Sequence, residues 1–190
     1  MCQLLELGDA SDPRSAIEDV GAVVSMKFTL VDRITDLVPG RRICTIKSLT
    51  LSEEYLDDHF RTFPVMPGVL MLECMAQSAG WLVRATEDFA HSLVLLAGAR
   101  NVNYKSFITP GGVLRMEVDC KRMEANCSEF VGKGFCEDRE MVKARIVLNH
   151  LNLADEKPAL EAVDRELVVQ TRAQFALIGG EPFVAAGAAS

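Results

Sequence analysis

The order of hydrophobic and polar residues predicts strands on both sides of one long apolar helix. Alternation over Val113–Cys120 and Met141–Leu148 puts apolar side chains on one face and mostly charged ones on the other, as in a half-buried strand. Shorter apolar runs at Ile43–Leu51, Leu93–Gly98 and Phe130–Cys136 are also typical of strands. The connections are short and favour antiparallel pairing, so the pattern predicts an α+β fold with an antiparallel sheet.

The segment Pro67–Val83 is apolar on nearly every side and too long for a strand. Pro67 suits the first turn of a helix, and a helix without a polar face is buried in a protein core or in lipid. Glu73 and Gln77 interrupt the run, which is also short for a membrane span of ~20 residues. We therefore expect a helix in the protein core, at the centre of the sheet.

The chain of 190 residues is expected to form a single domain with two additions. The core covers about residues 24–153, and residues 1–23 form an N-terminal extension. In the tail, residues 154–190, apolar residues recur on one face and predict an amphipathic helix over roughly 158–178. Residues 184–190 are small and are expected to be a frayed end.

Composition and charge exclude several classes of protein. Hydrophobic residues make up 49% of the chain, which permits a sizeable core and excludes a disordered protein. The formal net charge of −7 disfavours general binding to DNA or RNA, because phosphates attract a basic surface. The 6 cysteines are scattered without a C-x-x-C pair, and no basic secretory signal opens the chain. We expect a cytoplasmic protein with reduced thiols.

Groups that suit acid–base chemistry lie just before and within the start of the apolar helix. His59 precedes a loop that Pro64 and Pro67 stiffen. Gly68 allows a backbone N–H to approach a ligand closely, at the positive end of the helix dipole. An amide in that position is suited to polarising a carbonyl group.

Glu73 and Gln77 are four residues apart and therefore share one face of the helix. An ionised carboxylate is costly in apolar surroundings, so Glu73 is expected to hold a proton and act as an acid, while His59 suits the role of base. Such groups can remove a proton α to a thioester carbonyl and expel a β-hydroxyl as water. An alternative stays open, in which His59 is only a loop histidine and Glu73 and Gln77 are only a hydrogen-bonded pair, without catalytic roles.

A longer motif contains these groups. It consists of His59-Phe60, Pro64, Pro67-Gly68-Val69-Leu70 and Glu73-Cys74-Met75-Ala76-Gln77. It resembles the motif of the FabZ-type 3-hydroxyacyl-[acyl-carrier-protein] dehydratases, in residue type and in spacing. Flanking stretches agree: Leu30-Val31-Asp32-Arg33, Pro39-Gly40-Arg41-Arg42 and Phe107-Ile108-Thr109-Pro110-Gly111-Gly112. The resemblance covers about residues 28–150 and implies the hotdog fold, an antiparallel sheet wrapped around a central helix.

The resemblance implies a role for each matching residue. His59 would be the base that takes the α-proton, and Glu73 would be the acid that protonates the leaving hydroxyl. Gln77 would position Glu73 or a water, and the Gly68 amide would polarise the thioester carbonyl. The other residues expected to bind substrate flank that glycine: Met66, Pro67 and Val69.

The implied activity is the dehydration of 3-hydroxyacyl thioesters to trans-2-enoyl thioesters in fatty acid or related lipid biosynthesis, without a metal or a redox cofactor. The implied partner is an acyl carrier protein that carries the substrate on phosphopantetheine, and neither nucleic acid nor a membrane is expected. His59 and Glu73 of one site would come from different subunits of a homodimer, with a trimer of dimers left open.

Departures from the family pattern keep alternatives open. Arg61-Thr62-Phe63 stands where the family usually has Pro-Gly-Arg or Pro-Gly-Lys. A hotdog acyl thioesterase, in which a helix acid activates water, and a non-catalytic acyl-binding or scaffold protein are the alternatives. His91 and His150 are expected at the surface or at strand ends, without a metal site.

Overall fold

The computed structural model describes residues 29–58 and 62–187, and the strands in this part of the chain form one antiparallel sheet. Its strands run in the order β1-β2-β4-β5-β6-β3, so that β1 and β3 are the two edges. The strands are β1 (Arg33–Val38), β2 (Arg42–Ser48), β3 (Leu93–Tyr104), β4 (Val113–Glu124), β5 (Cys127–Cys136) and β6 (Arg139–Leu151). The helices are α1 (Tyr55–Asp58), α2 (Gly68–Thr86), α3 (Glu161–Leu177) and α4 (Glu181–Gly187).

The apolar helix predicted around Pro67–Val83 is confirmed as α2, which lies against the inner face of the sheet. The predicted alternation is confirmed in β4, whose Leu114, Met116 and Val118 are buried in the same core. Each large apolar side chain buried in this way stabilises the fold by roughly 1.5–3 kcal/mol. In the described part of the chain, no helix combines the length and the apolar character needed to cross a membrane.

One glycine allows the sheet to approach α2 closely. A Cβ atom on Gly132 in β5 would lie 2.3 Å from the Met75 sulfur, a distance that two such atoms cannot adopt. Met75 is fully buried on α2, so the thioether fills the space that a side chain at position 132 would take. The glycine in this strand is therefore required by packing between the layers.

The edge strand β3 is longer than the predicted run of Leu93–Gly98, because it continues to Tyr104. Its pairing with β6 shifts register between Leu96 and Gly98 and again between Arg100 and Asn103. Each irregularity disrupts the two-residue alternation, so the sequence pattern indicated only the first half of the strand.

The amphipathic helix predicted over roughly 158–178 is confirmed as α3, which follows a 3-10 turn at Pro158–Leu160. The frayed end predicted for residues 184–190 is wrong for 184–187, which belong to α4. Phe183 and Val184 pack against the core, and this tertiary contact stabilises a short helix that the local sequence does not indicate.

Both ends of α3 are attached to the domain. The Asp164 carboxylate, in its first turn, accepts hydrogen bonds from the Ser92 hydroxyl and from the backbone N–H groups of Leu153 and Ala154. Burial raises the pKa of Asp164, but these hydrogen bonds outweigh it and hold the pKa below its usual value. At the other end, the backbone N–H of Ile34 in β1 donates to the carbonyl of Ile178 at 2.9 Å.

Candidate active site

Glu73 and Gln77 form a hydrogen-bonded pair on one face of α2. Gln77 Nε2 donates to Glu73 Oε1 at 3.0 Å, while Gln77 Oε1 accepts from the backbone N–H of Leu30 at 2.9 Å. Because the backbone group can only donate, the glutamine oxygen must face Leu30 and its amino group must face Glu73. The orientation of the amide is thereby determined, and it holds one oxygen of the carboxyl group in place.

The first residue of α2 is Gly68, and the helix begins directly after Pro67. The first N–H groups of any helix have no partner within it and point out along its axis, where they attract a carbonyl oxygen. A Cβ on Gly68 would lie 3.1 Å from the aromatic ring of Tyr104, so the ring and the glycine backbone are in close contact. A larger residue here would displace Tyr104.

The other residues expected at the site differ in exposure. Val69 is 65% exposed, whereas Pro67 is buried. Met66 is fully buried in the core, and its backbone N–H donates to the carbonyl of Ile108 at 2.9 Å. His59 lies outside the described residues.

A groove of about 810 Å³ runs along the face of α2 that carries Glu73 and Gln77. Residues of β3, Leu93–Leu96, form one wall, and residues of α3 form another. From α2 the groove is lined by Glu73, Ala76, Gln77, Gly80, Trp81 and Arg84. Its size is that of a site for a small-molecule ligand, and it contains the acid that the sequence singled out.

The described geometry thus provides an oriented carboxyl group in a largely apolar groove on a buried helix. The sequence model of the FabA-like domain matches residues 23–145, well over half of the chain. The chain belongs to the FabA-like family. The match ends before α3, so this helix lies outside the FabA-like domain.

Curated relatives of this FabA-like chain are FabZ-type enzymes. The "3-hydroxyacyl-[acyl-carrier-protein] dehydratase FabZ" of Halalkalibacterium halodurans is 37% identical over 120 residues, 62% of this chain and 83% of that protein. The protein of the same name from Solibacter usitatus is 34% identical over 146 residues, 75% of this chain and 90% of that protein. The FabZ-type resemblance of the motif is thereby confirmed.

Solved structures confirm the hotdog fold. The dehydratase heterocomplex ApeI:P from Xenorhabdus doucetiae has a TM-score of 0.58 at 19% identity, over 70% of this chain and 90% of that chain. A Streptococcus mutans protein bound to acetyl CoA has a TM-score of 0.51 at 11% identity, over 69% of this chain and 97% of that chain. At these identities the structures support the fold alone.

Cys74, which lies between Glu73 and Gln77 on α2, is a buried thiol. Its sulfur donates to the carbonyl of Leu30 at 2.9 Å. Burial raises the pKa of Cys74 to about 12, so the thiol stays protonated at neutral pH and is unsuited to nucleophilic attack.

Of the two positions expected for His150, at the surface or at a strand end, the structure shows the second: it is the penultimate residue of β6 and only 2% exposed. Its Nδ1 lies 3.0 Å from Glu87 Oε1, and Nδ1 of His91 lies 2.8 Å from Glu87 Oε2. The three groups are close enough to hold a metal ion. Hydrogen bonds account for them better, because a metal-binding histidine donates its second ring N–H, and His150 Nε2 has no partner among the described residues.

We expect the free energy of unfolding to fall as the pH drops below about 6.5, the usual pKa of histidine. Burial lowers the pKa of His150, with Glu87 opposing this shift and His91 and Arg84 adding to it. The unfolded chain therefore binds a proton that the folded protein resists, and stability is lost as the pH falls from the unfolded pKa toward the lower folded one.

Urea unfolding of the wild type and of His150→Gln at about pH 7.5 and about pH 5.5, on either side of the histidine pKa, measures this effect. The wild type should lose more of its stability over that interval than the variant, whose side chain does not titrate. Equal losses in the two proteins would assign the pH dependence to other groups.

The sequence does not indicate which residues of α3 face the groove; they are Leu167, Gln170, Thr171, Ala173, Gln174 and Leu177. Amphipathic periodicity did predict the helix. The surface that it covers is set by contacts such as that of Phe175 with Trp81, which are distant in sequence and leave no local pattern.

Proposed function

We propose that this chain catalyses the dehydration of 3-hydroxyacyl thioesters, carried by an acyl carrier protein, to trans-2-enoyl thioesters in fatty acid or related lipid biosynthesis. Its membership of the FabA-like family and the names of its curated relatives support this reaction class. The observation on which the proposal depends is the Glu73–Gln77 pair, an oriented carboxyl group in an apolar groove of ligand size.

In the proposed mechanism, His59 removes the proton from the carbon next to the thioester carbonyl. The electrons of that C–H bond form the new double bond as the Cβ–O bond breaks. Glu73 gives its proton to the departing hydroxyl, which leaves as water. The backbone N–H of Gly68 donates to the carbonyl oxygen, where negative charge develops. The substrate loses one water, and the proton that His59 has gained must pass back to Glu73 before the next turnover.

We further propose a homodimer that forms along β3. This strand is an edge of the sheet, and an edge with unpaired backbone groups is a template for another strand. Leu95, Leu96 and Tyr104 on β3 are exposed in the single chain, and a second copy would cover them. The dimer would bring His59 of one subunit to Glu73 of the other.

The proposed location is the cytoplasm. The cysteines in the described part of the chain, Cys44, Cys74, Cys120, Cys127 and Cys136, are all free thiols. Thiols persist in a reducing compartment, which is also where an acyl carrier protein would meet the enzyme.

A direct assay tests the proposed reaction. Purified protein is given 3-hydroxybutyryl-acyl carrier protein, and the absorbance of the conjugated enoyl thioester is followed, with the reverse hydration of crotonyl-acyl carrier protein as a second readout. We expect turnover in both directions. Release of free thiol without formation of the enoyl product would instead indicate a thioesterase, and no turnover at micromolar enzyme would indicate a non-catalytic acyl-binding protein.

A further inference from the structure

We infer that α3 is the wall of the groove that determines which acyl chains the protein accepts. The inference rests on the proposed function and adds a specificity element to it. Because the family match ends at residue 145, this element lies outside the FabA-like domain.

One face of α3 lines the groove. Leu167, Thr171 and Gln174 follow one another at spacings of four and three residues, which places them on a single helical stripe, and all three are half-buried. The adjacent stripe contains Phe175, whose ring packs against Trp81 and Phe89 with centroids 5.9 and 5.4 Å away. The helix is therefore held with its Leu167–Gln174 stripe on the wall of the groove.

The chemistry of the groove favours an acyl chain as its occupant. The reacting carbons of a 3-hydroxyacyl thioester must lie at Glu73, because that carboxyl group is the proposed proton donor. From there the groove continues between the half-buried Leu93 and Val94 of β3 and Leu167 of α3, so aliphatic side chains line both walls. Burial of an alkyl chain between them is favourable by about 0.8 kcal/mol per methylene.

Arg84 is the groove-lining residue of α2 that lies furthest along the helix from Glu73. It lies three helical turns beyond Glu73, about 16 Å along α2 at a rise of 1.5 Å per residue. Its Nε is buried and has no hydrogen-bond partner among the described residues, and burial lowers the pKa of the guanidinium to about 10. An alkyl end that reached this group would remove more of its water, so Arg84 disfavours longer chains.

The test compares two tryptophan substitutions on the same helix. Thr171→Trp fills the groove, whereas Val169→Trp adds the same side chain at a position that is 62% exposed and outside the groove. The value of kcat/KM is measured for four-carbon and twelve-carbon 3-hydroxyacyl-acyl carrier proteins. We expect Thr171→Trp to lower the twelve-carbon value by at least about tenfold and the four-carbon value by less than about twofold, since pocket contacts of this size discriminate by 10–200-fold. Val169→Trp should leave both unchanged.

Other outcomes would overturn the inference. If Thr171→Trp lowers kcat/KM equally for both substrates and light scattering also shows a changed oligomeric state, a second subunit covers this wall. If kcat/KM changes for neither substrate, the acyl chain lies elsewhere. Turnover of the four-carbon substrate by the wild type tests the proposed function separately, so loss of the selectivity effect alone leaves the dehydratase assignment intact.

Discussion

Glu73→Gln is expected to lower kcat by ~10²–10⁴-fold, the usual contribution of a general acid. Glutamine has nearly the shape of a protonated glutamic acid, and its side-chain oxygen can still accept the hydrogen bond from Gln77. It has no acidic proton to give to the leaving hydroxyl. The variant should therefore bind substrate and fold normally while the chemical step fails, as judged by steady-state kinetics and by an unchanged urea midpoint.

A matched control separates the loss of an acid from a change in charge. Glu129→Gln removes one negative charge from the exposed face of β5, away from the groove. This variant should retain wild-type kcat. Near-normal turnover by Glu73→Gln in the same assay would mean that another group protonates the hydroxyl.

Mixing His59→Ala with Glu73→Gln is expected to restore activity from two inactive proteins. If each site takes its histidine and its acid from different subunits, a mixed dimer has one site with both changes and one site with neither. Random exchange makes half of the dimers mixed, so about a quarter of wild-type activity should return. The measurement is the dehydration rate after the subunits have been exchanged.

Exchange itself must be verified, and two affinity tags allow this by co-purification of the differently tagged variants. Proven exchange without recovered activity would show that His59 and Glu73 act within one subunit. The dimer along β3 would then be irrelevant to the chemistry, although it could still cover the exposed leucines of that strand.

The fold was predictable where local periodicity and burial agree. The interior of α2 and the alternation in β4 both follow from which side chains must leave water. β3 was only half predicted, because its two register shifts interrupt the alternation. α4 was missed, because Phe183 is ordered by the core rather than by its neighbours in sequence.

The candidate site was likewise predictable only where local helical geometry determines it, and not where contacts distant in sequence do. The shared face of Glu73 and Gln77 follows from helical geometry alone. The contact that orients Gln77 comes from Leu30, 47 residues away, and the contact of His150 with Glu87 spans 63 residues. Such contacts depend on how the strands fold around the helix, and a single sequence contains no local signal for them.

The hydrogen bonds of Asp164 at one end of α3 and of Ile178 just beyond the other have a consequence for substrate entry. A segment that opens and closes over a ligand needs a hinge at one end and few constraints at the other. α3 meets neither condition, so it cannot swing aside as a gate. The thioester must enter along a path that leaves this helix where it is, and any moving part belongs to another region of the protein.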